Sequence, residues 1–274
     1  MGPALSIVDV AAAGLGRAIG SLPRLLAIYV LPWLLGTVVL VALEAVAQDQ
    51  LRLGWVAQWV RNLVWAPFAA MAYLMLLRWV LGEQPPARWF DLDWGRQAWF
   101  AVLVVMGWFL TTDALEAAPT AMLLWLAVPD IAAFEWEEVA TLYYALRTAV
   151  WLLDATLDLW FFGLLVVIVK YGRPDFTELR KLLRLRPMRM FGIALVAAAA
   201  TDGAQFLCGD AIARLQLPRL APDGMIPWRA NIHWSFVSEF VDLPRAFLGF
   251  AIHGCILAEA YRRLIYFTNP ISPR

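Results

Sequence analysis

Residues 25–43 read LLAIYVLPWLLGTVVLVAL, and Arg24 and Glu44 close the run on either side. As an α-helix rising 1.5 Å per residue, this uncharged run spans about 28 Å, close to the roughly 30 Å hydrocarbon core of a bilayer. It reads as a transmembrane helix, with Pro32 as the expected kink. The rest of the chain agrees with lipid as the solvent. Of 274 residues 62% are hydrophobic, 14% aromatic and only 16% charged, against about 25% charged in soluble domains. This composition excludes a disordered tail, a secreted disulfide scaffold and a basic nucleic-acid-binding domain, so no nucleic-acid partner is expected.

Working outward, five further apolar stretches reach spanning length. The six spans are placed at about 25–43, 62–81, 97–117, 147–169, 190–212 and 236–256. Residues 1–24, weakly apolar and Gly-rich, are expected to form an interfacial segment. Residues 25–261 form the transmembrane domain, and residues 262–274 a cytoplasmic tail. The fold class is therefore an all-α polytopic membrane helix bundle. Of the 22 Lys and Arg residues, fifteen fall on the side shared by the termini and the 2–3 and 4–5 loops, and seven fall opposite. The 22 acids divide the other way, seven and fifteen. Cytoplasmic loops carry the excess of Lys and Arg, so both termini are expected inside. The localisation expected from these counts is a membrane crossed several times.

The two longer outer connections differ in kind. Ala118–Leu146 reads as interfacial helix, whereas Leu215–Ser235, with Pro218, Pro222 and Pro227 around Asp223-Gly224, reads as an irregular cap. The 2–3 and 4–5 hairpins also echo each other. Gly82-Glu83-Gln84-Pro85 answers Gly172-Arg173-Pro174-Asp175, and Thr112-Asp113 answers Thr201-Asp202.

Acidic residues inside the spans are the main candidates for function. Arg147, Asp154 and Asp158 share one helix face, with Arg147 the candidate ion-pair partner of Asp154. Counting 1.5 Å per residue from Lys170, Asp158 lies about 18 Å and Asp154 about 24 Å into the membrane. On the same scale Asp113 and Glu116 lie about 21 and 25 Å beyond Trp99, and Asp202 about 17 Å beyond Phe191. Asp113, Glu116, Asp154, Asp158 and Asp202 are thus expected to gather in the outer half of the bilayer, near Thr111, Thr112, Thr156, Thr201 and Gln205. An ionisable group at that depth costs about 2.5–3.5 kcal/mol on insertion scales and so faces a cavity or a partner. A structural hydrogen-bonded network remains the alternative to a functional cavity.

Other signals are weaker. His253 stands beside Gly254 in the last span, and a membrane haem or chlorin site usually takes a facing pair of His. The remaining His233 falls in the outer loop, so His253 reads as a packing residue and no cofactor is expected. Cys208 and Cys255 give no disulfide or metal spacing. In the 4–5 loop, Asp175-Phe176-Thr177-Glu178 has capping-box spacing. It opens a short helix with Phe176, Leu179, Leu182 and Leu183 apolar and Arg180, Lys181, Arg184 and Arg186 basic. Those cations anchor the positive-inside loop and are candidates for contact with anionic headgroups or a cytoplasmic partner. No Walker A, Gly-x-Ser-x-Gly, His-Glu-x-x-His or βαβ Gly-x-Gly-x-x-Gly motif is present, so enzymatic chemistry is disfavoured and no catalytic residue or metal ligand is assigned.

The stretch Arg78-Trp79-Val80-Leu81-Gly82-Glu83-Gln84-Pro85-Pro86, followed by Gly95-Arg96, resembles uncharacterised bacterial six-helix inner-membrane proteins, as does Ala258-Glu259-Ala260-Tyr261-Arg262-Arg263-Leu264. The resemblance covers these stretches and the layout, and it implies no activity. The function expected is that of an accessory or assembly subunit packing against other membrane subunits. The alternative is a small transporter or channel-like protein, with Asp113, Asp158 and Asp202 lining an outward-facing acidic cavity for protons or cations.

Overall fold

A computed structural model describes residues 6–46, 54–82, 95–127, 136–214 and 227–268. These residues form eight helices and no strand: α1 (Ile7–Gly20), α2 (Leu22–Val46), α3 (Gly54–Val80), α4 (Arg96–Ala127), α5 (Trp136–Tyr171), α6 (Phe176–Leu185), α7 (Pro187–Arg214) and α8 (Pro227–Thr268). Six of them are long and apolar enough to cross a membrane, over Leu22–Leu43, Trp59–Val80, Arg96–Pro119, Ala140–Tyr171, Pro187–Ala211 and Phe240–Tyr266. The chain is a polytopic helical membrane bundle.

Contacts between helices order the bundle end to end. At one end Arg17 meets Glu259, Arg78 donates to Gln97 Oε1 at 2.7 Å, and Gln97 donates to the Ile168 carbonyl at 2.7 Å. At the other end Asn62 donates to Asp113, Thr112 to Asp154 and Trp151 to Asp202. The helices therefore alternate in direction, and the first end, which also carries α6, is basic while the second is acidic. α8 is the central element, touching α1, α2, α3, α5, α6 and α7. Its residues Cys255 to Tyr261 are buried almost completely, among Leu76, Leu77, Phe162 and Leu165.

Glycine ends two helices in the same way. Gly82 and Gly172 take φ of 93° and 73°, the left-handed conformation that a Cβ disfavours, and the Gly172 amide closes on the Ile168 carbonyl at 2.8 Å. They are the glycines of the two echoing hairpins. Glu83 to Trp94, and with them most of the first echo, lie outside the described residues.

Helices run further than hydropathy alone places them. α4 continues to Ala127 and α5 begins at Trp136, so much of the stretch 118–146 is helix continuous with the spans. α8 begins at Pro227, inside the stretch read as an irregular cap, because proline is pre-shaped for the first turn of a helix. The Asp223-Gly224 turn lies outside the described residues, as do Asn269 to Arg274 of the tail. Arg262 and Arg263 are still on α8. α1, capped by Ser6, buries Val10, Ala11, Gly14 and Ala18 against the bundle. Gly14 lets it approach α8 so closely that a Cβ there would stand 2.6 Å from the Ile256 Cα.

Candidate functional site

Residues on α4, α5, α7 and α8 line a half-open cavity of about 1180 Å³ in the acidic half of the bundle. Glu116, Asp154, Asp158, Asp202 and Asp210 line it, with Arg147, Arg245 and His253 as the basic groups. Burial deepens inward. Glu116, Asp202 and Asp210 are exposed, Asp154 is half-buried and Asp158 is buried.

Three of these carboxylates are each held by a donor on a neighbouring helix. Asp158 Oδ1 accepts from the Trp108 indole nitrogen at 2.8 Å. Its Oδ2 stands 3.2 Å from His253 Nε2, at ion-pair range, although that nitrogen makes no aligned hydrogen bond. Asp154 Oδ1 accepts from Thr112 Oγ1 at 3.0 Å, and Asp202 Oδ2 accepts from Trp151 Nε1 at 2.9 Å. Thr201 contributes a buried hydroxyl with no hydrogen-bond partner.

Toward the basic end the helices are closely packed. Tyr261, fully buried, donates to the Leu159 carbonyl at 2.6 Å, directly beneath Asp158. Its ring stacks on Phe162, with centroids 6.3 Å apart. Trp108 is fixed in turn by Tyr73 at 5.5 Å and Phe161 at 6.3 Å. Donor, carboxylate and histidine thus rest on a rigid aromatic floor.

The structure gathers Glu116, Asp154, Asp158 and Asp202 but not Asp113. Thr112 and Asp113 are neighbours on a helix and so project about 100° apart. With Thr112 on Asp154, Asp113 turns to α3, where Asn62 donates to it. Arg147 is not paired with Asp154. Its guanidinium donates to the Tyr143 hydroxyl at 2.8 Å, lies over that ring, and feels the Glu116 carboxylate. A second, smaller cavity of about 470 Å³ lies between α2, α3 and α8, walled by Trp33, Trp65, Phe68 and Phe250.

Sequence reasoning passed over His253 and Trp108 as partners of Asp158, and no spacing links them, since they come from three helices. It also passed over Glu259. This carboxylate is 1% exposed and takes Arg17 at 3.1 Å, Arg262 at 2.6 Å and Arg263 at 2.9 Å. The spacing of Glu259, Arg262 and Arg263 along one helix face was a legible sign of that cluster.

On α6, Asp175 caps the amides of Thr177 and Glu178 at 2.9 and 3.2 Å, the bonds its position in the sequence leads one to expect. Leu179 and Leu182 are buried and Arg180, Lys181 and Arg184 are exposed, with Arg186 half-buried at the C-cap. Phe176, expected on the apolar face, is exposed instead. Lys181 donates to Glu178 at 2.6 Å, and that carboxylate raises the pKa of its ammonium.

His253, Cys255 and the acids do not converge on a point. Among the described residues no three His, Cys, Asp or Glu side chains are grouped to hold a metal ion. Compared with protein-family models, with curated proteins and with solved structures, the chain matches none of them.

Proposed function

We propose that this chain is a small transporter-type protein of the bacterial inner membrane, admitting protons or cations from outside the cell into the acidic cavity. The observation that carries this reading is Asp158, buried in the span, held by Trp108 beside His253, and lining a half-open cavity. An ionisable group kept at such depth is expensive, and a cavity lined by further polar groups is the setting in which it serves as a binding site. The excess of Lys and Arg at the other end supports reading that end as cytoplasmic, with the termini inside and the cavity facing outward. The accessory-subunit reading has no comparable support, because exposed apolar residues such as Trp99 and Leu103 are what lipid contact itself requires.

The exposed cations of α6 suit anionic headgroups on the cytoplasmic leaflet. The test of the main reading is flux. Purified protein in liposomes, with a pH-sensitive or cation-sensitive dye inside, should respond to an imposed gradient. Asp158→Asn should abolish the response. Flux equal in wild type, Asp158→Asn and empty liposomes would overturn the reading.

A further inference from the structure

The cavity's shape and donor pattern speak to what occupies it. The acids form a column rather than a cage. Asp154 stands one helical turn from Asp158, about 6 Å further out. Asp202 is level with Trp151, about 4.5 Å beyond Asp154, and Asp210 is about 12 Å further along α7. A volume of about 1180 Å³ is far larger than a bare metal ion fills.

The carboxylates are also half-used. Thr112 engages one oxygen of Asp154 and Trp151 one oxygen of Asp202. The second oxygen of each has no partner among the described residues. Thr201 Oγ1 is orphaned in the same cavity, in a residue 9% exposed. His253, 8% exposed, leaves Nε2 without an aligned hydrogen bond. A buried polar atom without a partner is costly, and a group so placed marks what a bound donor would satisfy. Two exposed aromatic residues, Tyr144 and Phe206, line the same cavity, and aromatic rings attract cations.

Resting on the transport reading above, we propose that the cavity takes an extended organic polycation, a linear polyamine, with successive ammonium groups along the column from Asp158 to Asp202. The deepest ammonium sits at Asp158 and donates to the Thr201 hydroxyl and the free oxygen of Asp154. The next meets Asp202, and the methylene chain lies against the two aromatic rings. A spherical ion would satisfy one level of this column and leave the others unused.

Full-length protein in lipid nanodiscs tests this with radiolabelled spermidine, competed by sodium, potassium or calcium at equal ionic strength. Wild type should bind saturably. Asp202→Asn and Asp154→Asn should each weaken binding at least tenfold, and Thr201→Val several-fold with an unchanged melting temperature. Arg173→Gln, exposed at the opposite end of the bundle, should bind as wild type does. Asp158→Asn should abolish binding; should that variant fail to fold, Asp154→Asn, Asp202→Asn and Thr201→Val carry the test.

Spermidine binding that survives all the cavity variants would overturn the proposal. Proton or metal-cation flux without spermidine binding would overturn it too, while leaving the transport reading standing. Neither flux nor binding would overturn both.

Discussion

Asp158 and His253 meet between α5 and α8 with Oδ2 and Nε2 3.2 Å apart, each side chain only 10% exposed. The other oxygen of Asp158 accepts the indole N–H of Trp108 at 2.8 Å, so a single carboxylate joins three helices inside the membrane. That arrangement separates charge from shape. Asp158→Asn keeps an acceptor for Trp108 and can offer its amide to a neutral His253, whereas Asp158→Ala strands a buried donor. An unsatisfied buried donor costs about 1–3 kcal/mol. Thermal unfolding in detergent, followed by tryptophan fluorescence, should place the Ala variant well below wild type and the Asn variant near it. Equal melting of the two variants would show that the Trp108 bond contributes no stability.

At the opposite end, Glu259 fastens α1 to α8. It is buried and accepts from Arg17, Arg262 and Arg263, of which only Arg17 comes from another helix. Arg17 in turn lies over the Trp79 ring at 5.7 Å, with Arg24 over the same ring at 5.4 Å. Removing one partner of a buried ion pair typically costs about 3–5 kcal/mol, because the other charge is left uncompensated. Arg17 is 30% exposed, so its own share is screened and smaller. Glu259→Gln should therefore lower stability more than Arg17→Met. Adding Arg17→Met to Glu259→Gln should cost less than it does in wild type. Strictly additive losses would mean that the two side chains are not coupled.

How far the sequence revealed this molecule depends on how local each signal is. Residues 25–43 and the other apolar runs give the six spans, because lipid imposes length and polarity on each helix separately. Asp154 and Asp158 could be placed on one helix face by spacing alone. Their donors Thr112 and Trp108 could not, since rotation of α4 against α5 is a matter of packing between helices. The same rotation turned Asp113 to Asn62, away from the cavity that a count of depth had assigned to it. The contact of Arg17 with Glu259 joins residues near opposite ends of the chain, and no periodicity reports it.

Two glycines of α1 make a matched experiment on its docking. A Cβ at Gly14 would meet the Ile256 backbone at 2.6 Å, and a backbone atom cannot swing aside as a side-chain tip can. At Gly16, two residues on, nothing lies within 4 Å. Gly14→Ala should be destabilising, by about 1–3 kcal/mol as for overpacking. Gly16→Ala should gain up to about 1 kcal/mol of helix propensity. Melting temperatures of the two variants should move in opposite directions. A neutral Gly14→Ala would show that α1 can shift off α8 without loss.

The basic face of α6 offers a charge-by-charge prediction about lipid. Arg180 and Arg184 are exposed, whereas Lys181 is engaged by Glu178 at 2.6 Å and so presents less net charge to a headgroup. Each Lys or Arg near an anionic leaflet contributes about 1 kcal/mol, falling away within a Debye length. Arg180→Gln with Arg184→Gln should therefore reduce co-purified phosphatidylglycerol, measured by native mass spectrometry, more than Lys181→Gln with either one. Raising salt should shrink the difference, because exposed charges are screened. Retention of a zwitterionic lipid should be the same in all variants. If it fell in parallel with the anionic lipid, the loss would reflect displacement of α6, whose Leu179 and Leu182 are buried in the bundle, and not a lost electrostatic contact.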